Sequence, residues 1–117
     1  MLYKTITIKG KDYKARLTAR AIVDLEKKLG TNPINVFTKM AATGDYLPDL
    51  ETIILMFHAS LQAMEHGISL DKAYELYDDM VEEGNTIVDF INILLDIFKV
   101  SGMIPEAEED NGKNAKK

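Results

Sequence analysis

Between Ile87 and Val100 the chain carries ten large apolar residues, broken only by Asp89, Asn92, Asp96 and Lys99. Those four are three, four and three positions apart, so on a helix they share one narrow stripe. A surface helix normally turns an apolar arc of somewhat over ~100° inward. Here most of the circumference seeks burial, and each such side chain gains ~1.5–3 kcal/mol from it. Any fold available to this sequence must therefore surround this helix, with its own chain or with another. Several of these residues left in water would exceed the apolar patch that monomers tolerate.

The rest of the chain reads as cover for such a core. Leu2 to Ile8 and Tyr13 to Leu17 are β-prone runs separated by Lys9-Gly10-Lys11-Asp12. A two-residue turn at Gly10-Lys11 would pair Ile8 with Tyr13, Ile6 with Ala15 and Lys4 with Leu17. Thr7 with Lys14 and Thr5 with Arg16 would fall on the opposite, polar face. Thr18 caps a helix with the stripe Ala21, Ile22, Leu25 and Leu29, ending at Gly30. Asn32-Pro33 opens a short helix carrying Ile34, Phe37, Met40 and Ala41 and stopping near Gly44. Pro48-Asp49-Leu50-Glu51 opens a third, predicted to run to Gly67 and to lie centrally, since its apolar residues go most of the way round. Ser69 caps a fourth with the stripe Leu70, Ala73, Tyr74, Tyr77, Met80 and Val81, ending at Gly84. Thr86 and Asp89 have capping-box spacing at the head of the fifth, which ends at Gly102. The expected fold is thus mainly α within an α+β class. A β-hairpin over 2–17 and about five helices over 18–102 form one domain spanning 1–104, and residues 105–117 form a polar, disordered tail.

Composition narrows the function. A chain of 117 residues can bury one continuous core without staples. It has no cysteine, which excludes disulfides, thiol nucleophiles and Cys-ligated metal, and fits a reducing compartment. Met1 to Gly10 is too polar for an export signal, and no run approaches the ~20 apolar residues of a membrane span. The net charge of −5, with pI near 5.0, argues against phosphate neutralisation as the basis of binding, so no nucleic-acid partner is expected.

Catalytic patterns are not evident. The glycines are isolated, without a phosphate loop. His58 and His66 are too far apart along one helix to form a ligand pair. His66 reads as a favourable group at a helix C-terminus, and His58 as a partly buried residue bonded to a neighbouring helix. Asp78, Asp79, Glu82 and Glu83 cluster, but lack the glycine-containing loop of a calcium site. We therefore expect no enzyme, no cofactor and no metal, and a protein that works by binding other proteins. A regulatory or DNA-binding module using the Lys/Arg-rich hairpin is the alternative, and a metal-dependent enzyme on the acidic helix a more distant one.

A resemblance sharpens this expectation. Gly10-Lys11-Asp12-Tyr13-Lys14-Ala15-Arg16-Leu17-Thr18, then Leu25-Glu26-Lys27-Lys28-Leu29-Gly30, then Asn32-Pro33 resembles the tail assembly chaperones of long-tailed phages and prophages of Gram-positive bacteria. The likeness is most specific over Ile8 to Phe37, and beyond Glu51 it rests on helix order and length. It implies a protein of the host bacterial cytoplasm acting in virion morphogenesis. Such proteins bind and solubilise the tape measure protein and help recruit tail tube protein subunits. With the apolar fifth helix it also implies a homo-oligomer. On this reading Phe90, Ile91, Leu94, Ile97 and Phe98 are the client or self-association contacts.

Overall fold

A two-stranded hairpin and five helices make up the computed structural model, which describes residues 2–105. Strands β1 (Lys4–Ile8) and β2 (Lys11–Ala15) pair antiparallel, with Ile8 opposite Lys11, Ile6 opposite Tyr13 and Lys4 opposite Ala15. The turn therefore falls one residue earlier than predicted, at Lys9-Gly10. Both residues are left-handed, at φ 51° and 77°. That is the type I′ geometry, whose twist matches that of the flanking strands, and glycine takes the second position without a Cβ penalty. The pairs Ile8–Tyr13, Ile6–Ala15, Lys4–Leu17, Thr7–Lys14 and Thr5–Arg16 do not form. Because the slip is two residues, and side chains alternate with period two, the faces are unchanged. Ile6, Ile8, Tyr13 and Ala15 all face the core and are buried.

Helices α1 (Ala19–Leu29), α2 (Ile34–Thr43), α3 (Leu50–Leu61), α4 (Leu70–Glu82) and α5 (Ile87–Val100) follow. Their starts are chemically set. The side chains of Thr18, Asp49, Ser69 and Thr86 accept from the backbone N–H three residues on. The hydrogen bonds from Thr52 hold the Asp49 carboxyl below the usual carboxylate range. Thr86 and Asp89 complete a reciprocal capping box, with Asp89 accepting from the Thr86 N–H at 2.8 Å. Asn32 Oδ1 accepts from the Ile34 N–H at 2.9 Å, and Pro33 already has helical angles, so the Asn-Pro pair opens α2 as its chemistry requires.

Three boundaries and stripes differ from expectation. Helix α3 ends at Leu61 rather than Gly67, where Gln62 turns its amide onto the carbonyls of His58 and Ile68, both at 3.0 Å. On α2 the buried pair is Val36 and Phe37, and Ala41 is exposed. On α4 the buried column is Ala73, Leu76 and Met80, leaving Leu70, Tyr74 and Val81 outside.

Helix α3 lies at the centre, as predicted: Ile53, Ile54, Met56, Phe57, Ser60 and Leu61 have no solvent exposure. The Ser60 hydroxyl is satisfied by the Phe57 carbonyl at 2.7 Å, and the Ser60 carbonyl accepts from the Arg16 N–H at 2.7 Å. The end of β2 is tied to α5 as well. Leu17 N–H donates to Ser101 Oγ at 2.8 Å, and the Arg16 guanidinium donates to the carbonyls of Val100 and Leu2, both at 3.0 Å. A cation at the last carbonyls of α5 also complements the helix dipole. The expected tail from residue 106 onward lies outside the described residues.

Candidate interaction surface

The five residues expected at a partner contact are core residues. Phe90, Ile91, Leu94, Ile97 and Phe98 are each at most 2% exposed. Their cover comes from elements distant in sequence. Phe98 meets Phe37 of α2 edge-to-face at 4.8 Å between ring centroids, and Phe90 meets Phe57 of α3 at 4.9 Å and Tyr77 of α4 at 5.0 Å. Ile87, Ile93 and Leu95 pack partly buried against the same core. Among the large apolar residues of α5, only Val88 is exposed, at 54%. The polar stripe is used too. Asp96 pairs with Lys4 of β1 at 3.1 Å, and Asp89 serves the cap. The chain thus encloses α5 with its own elements.

Exposed large apolar residues also occur at Leu2, Tyr3, Val23, Leu47 and Leu50, but those that line up along one helix are on α4. Leu70 (37%), Tyr74 (38%) and Val81 (47%) are exposed, with half-buried Tyr77 between them. Positions 70, 74, 77 and 81 recur at four, three and four, so they form one column along the helix. Asp71, Glu75, Asp78 and Glu82 follow the same spacing one residue on, and all four are exposed. One residue is roughly 100° of helix rotation, so this acidic rail runs beside the apolar column on its solvent side. The buried column of Ala73, Leu76 and Met80 lies on the other side. Tyr77 is the hinge between surface and core, because its ring packs on Phe90. Six acids against one lysine in residues 70–83 match the net charge of the whole chain, −5.

Part of the acidic end is structural. Glu82 accepts from Lys9 Nζ and Glu83 from the Lys9 N–H, both at 2.8 Å, which clamps the hairpin turn to α4. The hydrogen bond between them raises the Lys9 ammonium above the ordinary lysine value and lowers the Glu82 carboxyl. Asp71 and Asp78 are in no ion pair among the described residues, and Glu75 has only a 3.8 Å contact with Lys72.

The hairpin spends much of its positive charge on its own chain. Lys4 and Lys9 are paired, Arg16 is bound to two carbonyls, and Lys14 lies over the Tyr3 ring at 5.1 Å. A groove of about 200 Å³ between α1 and α3 is lined by Arg20, Ala21, Lys28, His58, Ala59 and Gln62. That is smaller than the ~300–1,000 Å³ of most ligand sites. His58 Nε2 is hydrogen-bonded to the Ile68 carbonyl at 3.0 Å, so its partner is the α3–α4 connection rather than a helix. His66 is exposed in that connection, not at the end of a helix. Among the described residues no three His, Asp or Glu side chains converge on a metal-sized point, and no helix is long and apolar enough to cross a membrane.

The architecture is a hairpin-capped five-helix domain in which an apolar column on α4 lies beside an acidic rail. Residues 2–117 match the model of a family described as a family of unknown function, DUF6096, and the chain belongs to that family. No curated protein and no solved structure matches it.

Proposed function

We propose that this protein is a tail assembly chaperone of a long-tailed phage or prophage. It binds the tape measure protein in the host cytoplasm, keeps it soluble before the tube encloses it, and helps bring tail tube subunits to it. The observation that carries the reading is the ordered run from Gly10 to Thr18, Leu25 to Gly30 and Asn32-Pro33, which resembles that family. Those residues form β2, the cap and C-terminal half of α1, and the entry to α2. The exposed column on α4 supports the same reading, because a tape measure chain presents apolar helical stripes that a complementary helix face can cover. Many copies along one long client act together by multivalency, without a strong copy-to-copy contact. Burial of Phe90, Ile91, Leu94, Ile97 and Phe98 removes the reason for placing self-association on α5.

Co-expression tests this. The tape measure protein encoded beside this chain is expected to move from the insoluble to the soluble fraction when the two are made together, and to co-purify with it. A tape measure protein that stays equally insoluble with and without the chain would overturn the reading.

A further inference from the structure

We infer that the α4 face is a docking site for a basic amphipathic helix, which lies along Leu70, Tyr74, Tyr77 and Val81 and sets its cations against Asp71, Glu75, Asp78 and Glu82. The inference deepens the chaperone reading, and rests on it for the identity of the client, by naming the chemistry of the segment recognised. Three observations fix the occupant. First, the apolar column spans three turns of α4, roughly 16 Å, which suits a helix laid alongside rather than a small molecule. Second, the column is anchored to the core at Tyr77. Tyr77 stacks edge-to-face on Phe90, and Phe90 on Phe57, so the surface is preorganised. Third, the rail selects by charge. Its four carboxylates stand in register with the apolar column, and Asp71 and Asp78 have no ion-pair partner among the described residues.

A second copy of this chain does not supply that partner. Two α4 faces brought together would oppose acid to acid, which is repulsive. The basic face of α1, with Arg20, Lys27 and Lys28, holds Asp24 among its cations. Its one exposed large apolar residue, Val23, cannot match a four-residue column. The occupant is therefore a different chain, with apolar residues at four-three-four spacing and Lys or Arg along one flank.

The test uses the full chain and a labelled synthetic peptide of about 18 residues, long enough to cover the column. Leucines stand at four-three-four spacing and lysines flank them, and a matched peptide carries glutamate for lysine. Fluorescence anisotropy is expected to show binding of the lysine peptide alone, weakening with added salt. Glu75→Lys with Asp78→Lys is expected to weaken binding at least about tenfold, as is Tyr74→Ser with Val81→Ser. Asp24→Lys with Asp45→Lys makes the same change of net charge elsewhere on the surface and is expected to shift affinity less than about twofold. Thermal melts of all three double variants confirm that each is folded. Equal weakening by the two charge-reversed variants, or equal binding of the two peptides, would overturn the inference. So would a dimer that Tyr74→Ser with Val81→Ser converts to monomer. The two proposals fail separately. If the tape measure protein is solubilised equally by wild type and by Glu75→Lys with Asp78→Lys, the α4 site falls and the chaperone reading stands. If the peptide results hold but no tape measure protein is captured, the site stands and the chaperone reading falls.

Discussion

Leu94→Asp is expected to abolish the fold, not merely an association. Leu94 is fully enclosed, with Ile91, Ile97 and Phe98 of its own helix in the same core. A carboxylate there would be buried among alkyl and aromatic groups without a partner, and even its protonated form would lack hydrogen bonds. Losses above ~4 kcal/mol are expected from a change of this kind, against a total stability of ~5–15 kcal/mol for an ordinary domain. Far-UV circular dichroism is expected to show an unfolded chain at room temperature. Val88→Asp is the contrast on the same helix. Val88 is exposed and in the first turn, where a negative charge favours the helix, so stability is expected to stay within ~0.5 kcal/mol of wild type or to rise. A folded, monomeric Leu94→Asp would return α5 to the status of an interface.

The second large effect is expected at Phe90. Its ring is edge-to-face with both Phe57 and Tyr77, so it joins α5 to α3 and α4 at one point. Phe90→Ala removes the buried ring and both aromatic contacts, and a well-packed core can collapse only partly around the space left. The expected loss is ~3–5 kcal/mol, read from the midpoint of urea unfolding at unchanged slope. A loss below about 1 kcal/mol would mean that the three helices are not joined there.

The local chemistry of this chain was open to reading from the sequence, and its long-range packing was not. Caps at Thr18, Asp49, Ser69 and Thr86, the Asn32-Pro33 entry and the capping box are decided by residues within one turn, and all appear where the side chains demand them. The hairpin faces were legible because alternation survives a two-residue slip. The turn falls at Lys9-Gly10 rather than Gly10-Lys11 because Lys9 takes a left-handed φ, uncommon outside glycine, which its clamp to Glu82 and Glu83 accompanies. On α4 the predicted stripe takes in the outer column and leaves out Leu76. Leu76 takes the core position, and Leu70, Tyr74 and Val81 are left as the surface. For α5, periodicity measured how much apolar area seeks cover but could not say which chain supplies it. The answer lies in Phe37, Phe57 and Tyr77, residues 61, 33 and 13 positions away from the rings they meet in α5. The proposed interaction surface therefore lies on the amphipathic α4 and not on the strongly apolar α5. The signal for it was present in the sequence as two parallel four-three-four series, one apolar and one acidic, in residues 70–82.

Amide hydrogen exchange of the purified chain over a range of protein concentrations tests most directly whether α5 is enclosed by its own molecule. The amides from Phe90 to Phe98 are expected to exchange only through global unfolding, with the same high protection in dilute and concentrated samples. Rapid exchange of those amides in the dilute protein, slowing as concentration rises, would show that a second chain covers the helix and would contradict the account.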